Sequence, residues 1–172
     1  MATVRLSGST LVIRGAVLPR GVRSSEGVTV SVAMLPASGG TGAHLIVRVA
    51  RGGTERRFAF ALTLVRQVRI FGTGQNDDLG FRREIALPAG AFSFSSATLV
   101  APTQRMIING RGGGDTITGG AGRDVLIARR SPVPGLSRIF ATLSGRDRDQ
   151  VRAPVGTTVV NGPNPVNVTW AG

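Results

Sequence analysis

The sequence predicts an all-β chain wound as a right-handed parallel β-roll or β-helix, with degenerate coils of about 18 residues. Three observations lead there. All six aspartates (Asp77, Asp78, Asp115, Asp124, Asp147 and Asp149) lie in glycine-rich turns of one recurring shape. β-Branched residues run through the whole chain, lysine is absent and glutamate is scarce, a composition that favours strands. Apolar and polar residues alternate over long stretches, the period of a strand with one buried face.

Residues 1–66 form an alternating-strand part. Val4 and Leu6 precede the turn Ser7-Gly8-Ser9, and Leu11 and Ile13 follow it. Val28, Val30, Val32 and Met34 make a second apolar row, and the segment from Pro36 to Gly42 reads as a loop. Leu45, Val47 and Val49 lead into the turn Arg51-Gly52-Gly53-Thr54, after which Phe58, Phe60, Leu62 and Leu64 continue the alternation. These last two strands read either as a hairpin or as two sides of a coil. A hairpin lobe here would cap the roll, whose end otherwise exposes unpaired N–H and C=O groups.

Residues 67–172 read as the roll itself, within one domain. Short strands run into glycine turns: Val68 to Ile70, Met106 to Ile108, Ile139 to Leu143 and Thr158 to Val160. Their spacing approximates two, two and one coils of about 18 residues. Two nine-residue units follow one another directly, Gly110–Thr118 and Gly119–Ile127. Their aspartates, Asp115 and Asp124, are therefore half a coil apart and fall on opposite edges. An aliphatic residue stands two positions after each, Ile117 and Leu126, to fill a narrow core. A constant coil sets Ala97 and Val133 beside Asp115, and Met106 and Thr142 beside Asp124. It also sets Asp77, Asp115 and Asp149 on one edge with blanks between them.

The turns resemble the repeats-in-toxin (RTX) nonapeptide, Gly-Gly-x-Gly-x-Asp-x-(aliphatic)-x. Gly119–Ile127 matches it throughout, and Gly110–Thr118 matches except for Arg111 at the second glycine. Phe71–Leu79 is similar to a related form with Asp77 in the ligand slot, and Ser144–Val151 keeps Asp149 there. The resemblance implies a secreted bacterial surface protein with calcium between successive turns. Its ligands would be Asp77, Asp115, Asp124 and Asp149, with the turn carbonyls around Gly113 and Gly122. Calcium takes several oxygens, so stacked turns must share the work. Here the expected neighbours carry no carboxylate, and Arg111 and Arg123 bring repelling charge. The other reading of these aspartates is structural: each bonds its own turn backbone.

Residue inventory argues against catalysis, and an enzyme such as a polysaccharide lyase on a β-helix is the third and least favoured reading. The chain has one histidine, His44, and no cysteine, tyrosine or lysine, and its three glutamates (Glu26, Glu55, Glu84) are scattered. His44 reads as an exposed structural residue. Absent cysteine also removes disulfides and thiolate sites. The net charge of +12 comes wholly from arginine, much of it placed between apolar residues so that it faces outward from a strand. Such a surface reads either as simply solvated or as a face for a polyanion: an acidic polysaccharide, lipopolysaccharide or, less favoured, nucleic acid. Trp170, on the row Val166, Val168, Trp170, reads as a core closure, a subunit contact or a sugar platform. No run of about 18 apolar residues suggests a membrane span. The first residues read as a strand, not as a signal peptide. The sequence thus points to a non-catalytic structural protein, secreted or on the cell surface, self-associating into filaments through strand pairing at its ends. An arginine-rich module for anionic polysaccharide or nucleic acid is the alternative.

Overall fold

The protein is described by a computed structural model covering residues 2–15, 27–37, 40, 42–83, 85, 99–128, 137–140, 150–154, 157–160 and 167–171. It is nearly all β. Fourteen strands form two sheets of seven. Sheet A contains β1 (Thr3–Ser7), β2 (Thr10–Arg14), β6 (Gln67–Phe71), β8 (Arg105–Asn109), β10 (Val125–Ile127), β12 (Gln150–Pro154) and β14 (Asn167–Ala171), in that order. Sheet B runs β13 (Thr158–Val160), β11 (Arg138–Phe140), β9 (Thr116–Thr118), β7 (Asp78–Phe81), β3 (Thr29–Leu35), β4 (His44–Arg51) and β5 (Thr54–Ala61). No helix among the described residues is long and apolar enough to cross a membrane.

From β6 onward successive strands alternate between the sheets, and each pairs in parallel with its neighbours in its own sheet. The N-terminal strands join the same sheets: β2 pairs in parallel with β6, and β3 with β7. Both sheets are nevertheless mixed. β1 returns antiparallel onto β2, and β3, β4 and β5 form an antiparallel meander. The cause is local. A tight turn can only send the chain back alongside itself, whereas a parallel neighbour needs a crossover. Gly52 and Gly53 both have positive φ, at 54° and 74°, which is the two-residue turn that matches strand twist. The stretch from β4 to β5 is therefore a hairpin. It ends sooner than the alternating row suggests, because Leu62–Leu64 is a 3-10 turn that leaves Leu64 exposed.

Between the sheets lies a narrow core of one to three apolar residues per strand, with Leu45, Val47 and Val49 from β4. Leu11, Ile13, Val68, Ile70, Met106, Ile108, Leu126 and Val151 face it from sheet A, and Val28, Val30, Val32, Leu79, Ile117 and Ile139 from sheet B. Fully burying each such side chain contributes about 1.5–3 kcal/mol before conformational entropy is subtracted. At the two ends the filling is incomplete. Val4, Leu6, Phe58 and Phe60 at one end, and Val159 and Val168 at the other, are only partly buried. A second cluster (Ala33, Leu35, Ile46, Ile85 and Leu99, with Phe81) covers the other face of β3 and β4. It is pinned by an antiparallel bridge between Met34 and Val100.

The coils are not of constant length. Asp77 and Asp115 are register neighbours although 38 residues separate them. The same excursion separates Gln67 from its partner Arg105 in sheet A. Within it, Ile85 and Leu99 pack in the second cluster.

Candidate functional site

The strands set three aspartates in one structural position: the residue just before a strand, with its side chain under the turn. Asp77 precedes β7, Asp115 precedes β9 and Asp124 precedes β10, and all three are buried. Asp77 and Asp115 lie along the edge of sheet B, and Asp124 along that of sheet A. The expectation of opposite edges for Asp115 and Asp124 thus holds. The expected blanks do not, since Asp77 and Asp115 are adjacent.

Each carboxylate reaches back to the main-chain N–H of its register neighbour in the preceding coil. Asp77 Oδ1 accepts from Val28 N at 2.7 Å, Asp115 Oδ1 from Asp77 N at 3.1 Å, and Asp124 Oδ1 from Met106 N at 2.7 Å. These N–H groups lie just before or at the start of a strand, where the ladder leaves donors that burial makes costly. The carboxylate therefore ties one coil to the next. The edge of sheet B continues beyond Asp115: Asp115 N donates to Ser137 Oγ at 3.3 Å, and Thr158 N donates to Ser137 O at 3.0 Å. Ser137 and Thr157, both buried, hold the positions before β11 and β13. Hydroxyls replace carboxylates along one column, which the sequence reading missed because a lone Ser or Thr forms no pattern.

The second carboxylate oxygen locks the turn, with one exception. Asp77 Oδ2 accepts from Thr73 N and Asp124 Oδ2 from Gly120 N, each at 2.6 Å and each four residues upstream. Thr73 Oγ1 adds a bond of 2.8 Å to Asp77 Oδ1. The equivalent donor for Asp115 is Arg111 N, but it is turned to Asn109 Oδ1 at 2.9 Å. Arg111 sits at φ 66°, the single non-glycine residue with positive φ among those described. Asp115 Oδ2 is left buried with no partner. Burial, the largest cause, pushes the Asp115 carboxyl up to about 7; the Asp77 N–H draws it down, and the Asp77 charge raises it further. The Asp77 carboxyl is also raised by burial, against the pull of the Val28 and Thr73 bonds and the charge of Arg51.

The turn glycines serve close approach. A Cβ on Gly110 would sit 2.1 Å from Asp115 Oδ2, and one on Gly113, whose φ is +107°, would sit 2.2 Å from Gln75 O in the neighbouring turn. Gly122 packs in the same way against the carbonyls of Thr103 and Gln104. Gly113 and Gly122 therefore let one turn stack on the previous one.

The donor set bears on calcium as follows. Asp77 and Asp124 direct all their carboxylate oxygens at N–H or O–H donors, and only Asp115 Oδ2 is unengaged. Among the described residues no three His, Cys, Asp or Glu side chains come together as a metal cluster. The expected neighbours Ala97, Val133 and Thr142 lie outside the described residues; Asp77 and Ser137 flank Asp115, while Met106 does stand beside Asp124 as the spacing suggests. Asp149 and Asp147 lie outside the described residues too, and β12, which follows Asp149 in the chain, belongs to the sheet of Asp124. The expected grouping of Asp149 with Asp77 and Asp115 rested on a constant coil of about 18 residues, but Val125 and its register partner Gln150 are 25 residues apart. His44 is half-buried, with Nδ1 2.7 Å from Gly42 O. Glu26, Glu84, Val166 and the Trp170 side chain are outside the described residues.

Ion pairs divide the two outer surfaces. On sheet B, Glu55 bridges Arg48, at 2.7 Å, and Arg57, while Asp78 pairs with Arg82. The seven strands of sheet A contain no acidic residue.

No protein-family model, curated protein or solved structure matches this chain.

Proposed function

We propose that the chain is a non-catalytic structural β-roll of the bacterial cell surface or extracellular matrix, and that it assembles head to tail into filaments. The observation that carries this is the step at its two ends. Counted winding by winding (β2 with β3, through to β12 with β13), sheet A has one strand beyond β2, and sheet B has two beyond β3. At the far end, among the described residues, sheet A has β14 beyond β12 and sheet B has no strand beyond β13. The projecting β5 at one end thus complements the recess beside β14 at the other. Because each sheet has seven strands, a second copy continues both sheets with the offset preserved. The half-buried Val4, Leu6, Phe58 and Phe60 would meet Val159 and Val168 across the joint.

The likeness of Gly119–Ile127 to the RTX repeat supports the surface location and the roll. Calcium belongs to the same proposal at Asp115, whose Oδ2 is the one buried carboxylate oxygen without a partner among the described residues. Asp77 and Asp124 act as turn locks.

Electron microscopy of the purified chain tests assembly. Filaments are expected, with an axial repeat of ~34 Å from seven strands at ~4.8 Å each. Monomers alone, at every concentration and with or without calcium, would end the proposal.

A further inference from the structure

The outer face of sheet A carries five exposed arginines: Arg5 on β1, Arg14 on β2, Arg69 on β6, Arg105 on β8 and Arg152 on β12. None forms an ion pair with a described residue, while the acids of sheet B's outer face engage its arginines. We infer that this face of sheet A is a binding surface for an extended anionic polysaccharide laid across the strands. The inference rests on the face alone and does not depend on filament formation.

Three features select that partner. First, register sets the charges of the face in rows. Arg5, Val12, Arg69, Ile107 and Val125 share one row; Arg14, Phe71, Asn109, Ile127 and Arg152 share the next. Arg5 and Arg69 are two strands apart, roughly 10 Å, so a linear polymer crossing the strands meets two cations in each of these rows. Second, the described aromatic of this face is not bare. Phe71 has the Arg14 guanidinium 5.5 Å and the Arg111 guanidinium 5.9 Å from its ring centre. A covered ring is a poor stacking platform for the bases of single-stranded nucleic acid. Third, Val12, Ile107, Val125 and Ile127 are only half-exposed, and the one exposed large apolar residue described is Leu64, outside the sheet. Among the described residues the face therefore offers charge without a fully exposed apolar patch to enter a lipid bilayer.

The chemistry is multidentate pairing of guanidinium with carboxylate or sulfate, each contact weak when exposed and strengthened by sharing one chain. Affinity must then fall with salt.

The test is binding of the full chain to polygalacturonate and dextran sulfate, beside oligo-dT and anionic phospholipid vesicles, over a salt series. Expected is tighter binding to one or both polysaccharides than to oligo-dT or vesicles. Arg5→Gln, Arg69→Gln and Arg105→Gln combined should weaken it at least about tenfold and flatten its salt dependence. Arg56→Gln, Arg83→Gln and Arg138→Gln combined remove the same charge away from this face and should change affinity less than about threefold. Equal losses from the two triple variants overturn the inference, as does preference for oligo-dT or vesicles. Circular dichroism must first show both variants folded; the single Arg69→Gln, expected to weaken binding about threefold, decides the matter if the triple is not.

Discussion

The main-chain N–H of Asp77 donates to Asp115 Oδ1 at 3.1 Å, across 38 residues of chain. The bond places two carboxyl groups in consecutive coils of one column. Both have raised carboxyl pKa values, and in each case burial is the leading cause. Charge in this column is therefore costly, and stability should depend on pH in a direction opposite to that of ordinary salt-bridged acids.

The sign follows from proton counting. Asp115 titrates near 3.8 when exposed and at about 7 when folded, so the folded chain holds the extra proton between those values. Its contribution is full below the unfolded pKa and is lost as pH rises through about 7. At about 1.4 kcal/mol per unit the loss is on the order of 4 kcal/mol. Urea unfolding should show lower stability at about pH 8 than at about pH 5. Asp115→Asn should remove most of this slope and be the more stable protein at the higher pH. Equal slopes for the two proteins would contradict the assignment.

Asp124 should behave in the reverse manner on substitution. Its two oxygens engage the buried N–H groups of Met106 and Gly120. Asp124→Ala leaves both donors unsatisfied and should cost about 3 kcal/mol, whereas Asp115→Ala orphans one and removes an unpartnered oxygen. Thermal melting of the pair separates the cases: Asp124→Ala must lose clearly more at neutral pH.

The alternating rows Val28-Val30-Val32 and Leu45-Val47-Val49 were legible in the sequence, because a strand with one buried face repeats every two residues. So was the half-coil offset of Asp115 and Asp124, since one run of Gly-Asp units connects them directly. The neighbours of Asp115 were not legible. A fixed period points 18 residues away, but the ladder constrains only strands and turns, and chain between them can run longer, as the excursion bearing Ile85 and Leu99 does. Nor could alternation reveal that the arginines of sheet A form no ion pair with a described residue while Arg48, Arg57 and Arg82 of sheet B do. That contrast depends on which strands share a sheet.

Glycine substitutions should divide by contact. Gly110→Ala sets a methyl group 2.1 Å from Asp115 Oδ2, and Gly80→Ala sets one 1.9 Å from Thr118 O at a φ of +121°. Neither can relax without moving a coil, and each should cost at least about 2 kcal/mol. Gly74→Ala meets nothing within 4 Å and should be neutral or slightly stabilising. A Gly110→Ala protein melting like Gly74→Ala would refute the close packing of these turns.

The exceptional state of Asp115 has a local origin, and that origin can be removed. In the other two turns the N–H four residues upstream, from Thr73 or Gly120, closes on the aspartate Oδ2. In the Asp115 turn the corresponding N–H of Arg111 is captured by Asn109 Oδ1, and Arg111 adopts positive φ. Asn109→Ala with Arg111→Gly takes away the competing acceptor and the constraint on φ at once. The freed N–H should then meet Asp115 Oδ2, and a hydrogen bond to the charged form lowers a carboxyl pKa. Arg111→Gly also loses the contact with Phe71, worth about 0.5–1 kcal/mol, and relieves a left-handed residue worth a similar amount. The two effects should nearly cancel, so the change appears in pH dependence and not in stability at low pH. Carboxyl NMR titration should find Asp115 moved from about 7 toward the ordinary carboxylate range. An unmoved titration would mean that the turn, and not Asn109, holds the N–H away.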